Sequence, residues 1–83
     1  MANRVEAQSV GRMVSVSPSD SERFDVTAGL SVNVEGDVNI LAVNNAEPEV
    51  LHMLAGLLYP IRAIAVFDTG TDADLGILAH YVD

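Results

Sequence analysis

The chain contains no cysteine and no lysine. Without cysteine there is no disulfide and no thiolate metal site. Arg4, Arg12, Arg23 and Arg62 stand alone against twelve acids, giving a net charge of −8. Phosphate neutralisation requires clustered Lys and Arg, so nucleic acid is not an expected partner. An anionic membrane surface is disfavoured on the same ground. Long apolar runs are missing too. The longest, residues 57–67, is too short to cross a bilayer and carries Pro60 and Arg62. The first ten residues lack the apolar stretch of a signal peptide. No glycine-rich phosphate loop, Gly-x-Ser-x-Gly nucleophile elbow or internal repeat occurs. These absences describe a soluble protein made in a reducing cytoplasm, with no membrane and no cofactor expected.

What is present is a short, apolar chain: 83 residues, 49% of them hydrophobic. A single domain of this size buries only about 60–65% of its extended-chain surface, so its core is marginal without a staple. Oligomerisation is the remaining staple, and the apolar fraction fits a chain that hides surface against copies of itself. The run at 57–67 is the focus. Leu57, Tyr59, Ile61, Ala63, Ala65 and Phe67 fall on one face of a strand, and Leu58, Pro60, Arg62, Ile64 and Val66 on the other. Both faces are apolar and call for cover on both sides. Pro60 cannot donate to a ladder, which puts the first half at an edge, a bulge or a strand start. Arg62 is a lone cation in the most apolar stretch. It is either an outward-facing residue with its stem along apolar surface or half of an intersubunit ion pair.

Taken in order, residues 1–12 have no period and read as an extended N-terminal arm, with residues 13–83 forming a single β domain. Arg4 and Arg12 make the arm suited to an acidic groove on a partner, with Val5 and Val10 as small apolar anchors. Residues 13–16 alternate as a first strand, closed by the turn formers of 17–23. Leu30, Val32 and Val34, then Val38, Ile40 and Ala42, alternate on either side of Glu35-Gly36-Asp37. The pattern predicts a hairpin with a glycine loop. Residues 49–58 satisfy two templates. Pro48 and Glu49 open a helix with Val50, Leu51, Leu54, Leu57 and Leu58 on one stripe, or Val50, His52 and Leu54 face one side of a strand that turns at Ala55-Gly56. The β-rich surroundings favour the strand. A polar loop at 68–74 between 57–67 and 75–82 predicts a second hairpin.

Three groupings invite chemistry. Ala65-Val66-Phe67-Asp68-Thr69-Gly70-Thr71 matches the aspartic-protease signature, whose mechanism needs two such aspartates sharing a proton across a dimer axis. A homodimer would supply both from Asp68, yet only thirteen residues follow Gly70, too few for a flap and a bracing strand. As a hairpin loop the same residues need only form a turn. Asp68, Gly70, Asp72 and Asp74 alternate like a calcium loop without its Asp-x-Asp-x-Asp-Gly pattern and closing Glu. A calcium-binding adhesion module is the alternative they leave, beside an exposed acidic turn. His52 and His80 lack a second His or Cys at ligand spacing, so they read as strand residues with satisfied rings rather than zinc ligands. No residue is assigned as catalytic or metal-binding.

Ser17-Pro18-Ser19-Asp20-Ser21, Gly36-Asp37-Val38, Leu58-Tyr59-Pro60-Ile61-Arg62-Ala63, Thr69-Gly70-Thr71-Asp72-Ala73 and Ile77-Leu78-Ala79-His80-Tyr81 occur in that order. Together they resemble the small proteins of tailed phages and gene transfer agents described as head-spike base or virion accessory proteins. The resemblance spans roughly residues 13–81. Tyr59 before Pro60, the acids of the 68–74 loop and His80 before Tyr81 depart from the family pattern. The resemblance implies an all-β domain, a small antiparallel β-sandwich or jelly-roll-like fold. It also implies a non-enzymatic capsid decoration or spike-base subunit on the virion surface. Its partners would be itself, as a trimer or pentamer, and the major capsid protein or other virion proteins. Arg4, Val5, Val10, Arg12, Tyr59 and Arg62 are the residues assigned to those contacts.

Overall fold

In the computed structural model, residues 10–82 are described. They form six strands and no helix: β1 (Arg12–Ser15), β2 (Gly29–Ser31), β3 (Gly36–Ala42), β4 (Glu49–Met53), β5 (Ala63–Phe67) and β6 (Leu78–Tyr81). Two antiparallel three-stranded sheets result, in the orders β1-β6-β2 and β4-β3-β5. The stretch left open between helix and strand, residues 49–58, is a strand followed by a turn at Ala55-Gly56.

Alternation explains the buried face. In β3, Val38 and Ile40 are buried while Asp37 and Asn39 are only half-covered. Leu30 and Val32 from the β2 side, Met53 of β4, Ala63 and Val66 of β5, Leu75 and Ile77, and Ala79 and Tyr81 of β6 join them in one core shared by both sheets. Phe24, Leu51, Tyr59 and Ile61 pack at its margin.

Neither expected hairpin forms. β2 pairs with β6, and β3 pairs with β4 and β5, so the chain changes sheets between Ser31 and Gly36. The backbone there bonds forward instead of turning back: Asn33 and Val34 both donate N–H to the Leu75 carbonyl, at 2.8 and 3.0 Å. Gly36 sits inside β3 with an ordinary φ. Its role is a close approach, since a Cβ there would lie 2.6 Å from Leu75 Cδ2. The loop at 68–74 likewise carries the chain from one sheet to the other. The hairpin that does form is β3–β4, with Ile40 opposite Glu49 and a turn closed by Asn45 N–H on Ala42 O.

The run at 57–67 is not one strand either. Only its second half is β5. Tyr59 makes an isolated bridge with Leu30, and Pro60 separates the two. The two halves of the run therefore fare differently, whichever face a residue was expected on: Ala63, Ala65 and Val66 are buried, and Leu57 and Leu58 remain about half exposed.

The first strand begins one residue earlier than expected. Arg12 opposes Tyr81 in the ladder, and the Gly11 N–H reaches the Tyr81 carbonyl at 2.8 Å. Arg12 is thus a strand residue rather than part of an arm. Arg4 and Val5 lie outside the described residues.

Candidate assembly surface

The edges of the two sheets differ in cover. The outer side of β5 is occupied by the segment before β2: Ser19, Phe24 and Thr27 donate N–H to the carbonyls of Val66, Ile64 and Ala63, at 2.9, 2.9 and 3.0 Å. Thr27 completes this contact. Its hydroxyl donates to Ile61 O at 2.7 Å and accepts from Ala63 N–H at 3.0 Å, in a fully buried position. The outer side of β2 is covered by residues 56–59, through Gly56 to Val32 and the reciprocal Leu30–Tyr59 bonds. Gly29 permits that cover, because a Cβ there would meet Leu58 Cδ1 at 2.8 Å and the Tyr59 carbonyl at 2.9 Å. Among the described residues, nothing hydrogen-bonds to the outer side of β4.

Four exposed aliphatic residues lie on β4 and the turn that follows it. Val50 is 55%, Leu54 45%, Leu57 50% and Leu58 49% exposed. The turn carrying the three leucines is held in place by its Tyr59 anchor. The ring packs against the core and the hydroxyl accepts the Leu54 N–H at 2.8 Å. Tyr59 therefore positions this surface from beneath.

At one end of the strands, Arg12 and Arg62 line a single groove of about 500 Å³ with Val26, Pro60, Tyr81 and Val82. The Arg12 guanidinium lies 4.3 Å from the centre of the Tyr81 ring, a cation–π contact. Tyr81 donates its hydroxyl to Asp25 O at 3.2 Å, and burial, with the Asp25 charge, raises its pKa above the ordinary value. Arg62 is exposed, and among the described residues no hydrogen bond or ion pair engages its guanidinium. Val10, half-buried, stands two residues before Arg12.

The opposite end is acidic. Asp68, Asp72 and Asp74 line a cleft of about 400 Å³ with Ser15, Ser17 and Asn33. The Asp-Thr-Gly loop is tied down through its own residues. Asp20 accepts the Thr69 N–H at 2.9 Å and its hydroxyl at 2.7 Å, and these bonds hold the Asp20 carboxyl below its ordinary pKa. Thr71 donates its hydroxyl to Phe67 O and accepts from Asn39 N–H, while Asp72 accepts the Asp37 N–H. Asp68 closes a turn with its carbonyl, which takes the Thr71 N–H, and its side chain is exposed. Among the described residues, no three His, Asp or Glu side chains are arranged to hold a metal ion.

Both histidines have partners. The His52 ring lies between Glu35 and Asp37, at 2.6 and 2.7 Å. With a carboxylate on each nitrogen, both must donate, which the protonated ring alone can do. The bond to Glu35, then that to Asp37, raises its pKa above the ordinary 6.5. His80 Nε2 meets Ser31 Oγ at 2.7 Å across the β2–β6 pair.

Sequence reasoning singled out Arg12 and Arg62, which the fold brings together. It missed Val26, Tyr81 and Val82, their neighbours in the groove. The available signal was positional: Arg12 is the first residue of β1 and Arg62 immediately precedes β5, strands that start at the same end of the molecule. Leu57 and Leu58 were read as the first half of a run covered on both sides, with Pro60 placing that half at an edge, a bulge or a strand start; they are about half exposed. No protein-family model matches the chain, and no curated protein matches it in sequence.

Proposed function

We propose that this chain is a non-enzymatic virion structural protein, a capsid decoration or head-spike base subunit that forms a symmetric trimer or pentamer. The observation carrying the assembly part is the half-exposed Val50, Leu54, Leu57 and Leu58 on β4 and the turn after it, with the outer side of β4 unpaired among the described residues. Aliphatic surface concentrated at an open strand edge is costly for a small acidic domain left alone, and it is what an interface between subunits buries. The resemblance of residues 13–81 to head-spike base and virion accessory proteins supplies the setting. In that setting the major capsid protein or another virion protein is the second partner, and the Asp-Thr-Gly loop is a structural crossing between sheets.

Sedimentation of the purified chain at micromolar concentration tests the assembly, with a trimer or pentamer mass expected and a stable monomer overturning it. Imaging of parent particles with the chain labelled tests the setting. Label on the capsid surface or spike base is expected, and particles without label would remove it.

A further inference from the structure

The strands give the molecule an electrical direction. β1 runs from Arg12, opposite Tyr81, to Ser15, opposite Leu78. β5 runs from Ala63, next to Arg62, to Phe67, next to Asp68. The two cations share one groove, and Ser15, Leu78 and Asp68 share the cleft at the other end. A five-residue strand sets the two ends about 15 Å apart. The far end gathers Asp20, Glu35, Asp37, Asp68, Asp72 and Asp74, half of the chain's twelve acids. Among the described residues no carboxylate lines the groove; Asp25 acts on Tyr81 beside it.

A self-complementary contact through either end would set arginine against arginine or carboxylate against carboxylate. Rotational rings of more than two subunits are instead built from two unlike patches, one on each neighbour. We propose that the Arg12–Arg62 groove receives the acidic 68–74 loop of a second copy, joining subunits head to tail. The groove supplies what such a loop needs: Arg62 for a carboxylate, and Val26, Pro60 and Val82 for the apolar part of the incoming segment. This inference rests on the assembly reading above and adds a charge contact to the aliphatic surface on β4 and its turn.

The test exchanges the charges. Arg62→Asp and Asp68→Arg each alter an exposed side chain outside the core, so circular dichroism remains that of the parent chain and the melting temperature falls only by what the lost association contributed. Each change alone is expected to raise the subunit dissociation constant at least about tenfold, as for close charge pairs across interfaces. The doubly exchanged chain is expected to recover the parent mass. Raising sodium chloride to 0.5 M should weaken the parent assembly, since exposed charges are screened. Arg62→Ala gives the same readout should the reversed charge impair folding. An oligomer whose mass and dissociation constant are unchanged by every single substitution would overturn the head-to-tail contact and leave the assembly reading intact. Singles that dissociate without recovery in the exchanged chain would also overturn the pairing. A monomeric parent chain would overturn both.

Discussion

β5 and β4 flank the same central strand, yet one edge is closed and the other open. The outer side of β5 is satisfied by Ser19, Phe24 and Thr27 from a segment that has no regular structure of its own. The outer side of β4 has no such partner among the described residues, and it carries Val50 and His52 toward solvent. An open edge beside exposed aliphatics is a template for another chain, whereas a covered edge is part of one molecule's own stability. Substitutions on the covered side should therefore register as melting temperature, and those on the open side as mass.

The largest effect is expected at Thr27. Thr27→Val keeps the volume but orphans the buried Ile61 carbonyl and Ala63 N–H. At about 1–3 kcal/mol for each unsatisfied group, the cost is roughly 2–6 kcal/mol. At about 4–8 °C per kcal/mol for a domain of this size, that would lower Tm by roughly 8 °C at the least and several times that at the upper end. Next comes Gly29→Val, which forces Leu58 and the Tyr59 carbonyl away from β2 and loosens its cover. Overpacking of this kind costs about 1–3 kcal/mol, measurable by urea denaturation.

On the open side the comparison predicts a different signature. Val50→Lys should leave the stability of the dissociated subunit within about 0.5 kcal/mol of the parent's, as for exposed substitutions generally, and yet abolish the oligomer in sedimentation. If it lowers Tm as far as Thr27→Val does, the two edges are not distinct in the way described.

The smallest effect concerns His52, which joins β4 to Glu35 and Asp37. Its folded pKa is raised, so its contribution is complete below the ordinary 6.5 and fades as pH rises through the folded value. A slight fall in Tm between pH 6 and 8 is expected, absent in His52→Gln. Asp20 works oppositely: its pKa is lowered, so its contribution holds above the ordinary carboxylate value and is lost toward strong acid.

The strands were legible in the sequence because burial imposes a period of two, and Val38, Ile40 and Leu30 follow it. Their pairing was not legible. Glu35-Gly36-Asp37 carries the composition of a turn, but Gly36 was placed there by the approach of Leu75, thirty-nine positions later. A local pattern cannot register that distance. The same limit hid the groove: Arg12 and Arg62 each stood out as rare cations, and only the shared starting end of β1 and β5 brings them together. Pro60 was correctly read as a barrier to pairing, although the leucines before it proved to be surface. His52 was expected to have a satisfied ring, without any sign that Asp37, directly opposite on β3, and Glu35 just before that strand would supply it.

The position of β6 has a consequence for how the protein is made. It is the middle strand of its sheet, between β1 and β2, and it is the last of the six in chain order. Neither β1 nor β2 has a partner in that sheet until residues 78–81 leave the ribosome, whereas β3, β4 and β5 can already pair with one another. Such long-separated contacts slow folding and leave strand edges exposed meanwhile. Nascent chains arrested before residue 78 should thus hold one sheet and an unpaired remainder, a species prone to stick to its neighbours before it has any edge to offer in a controlled way.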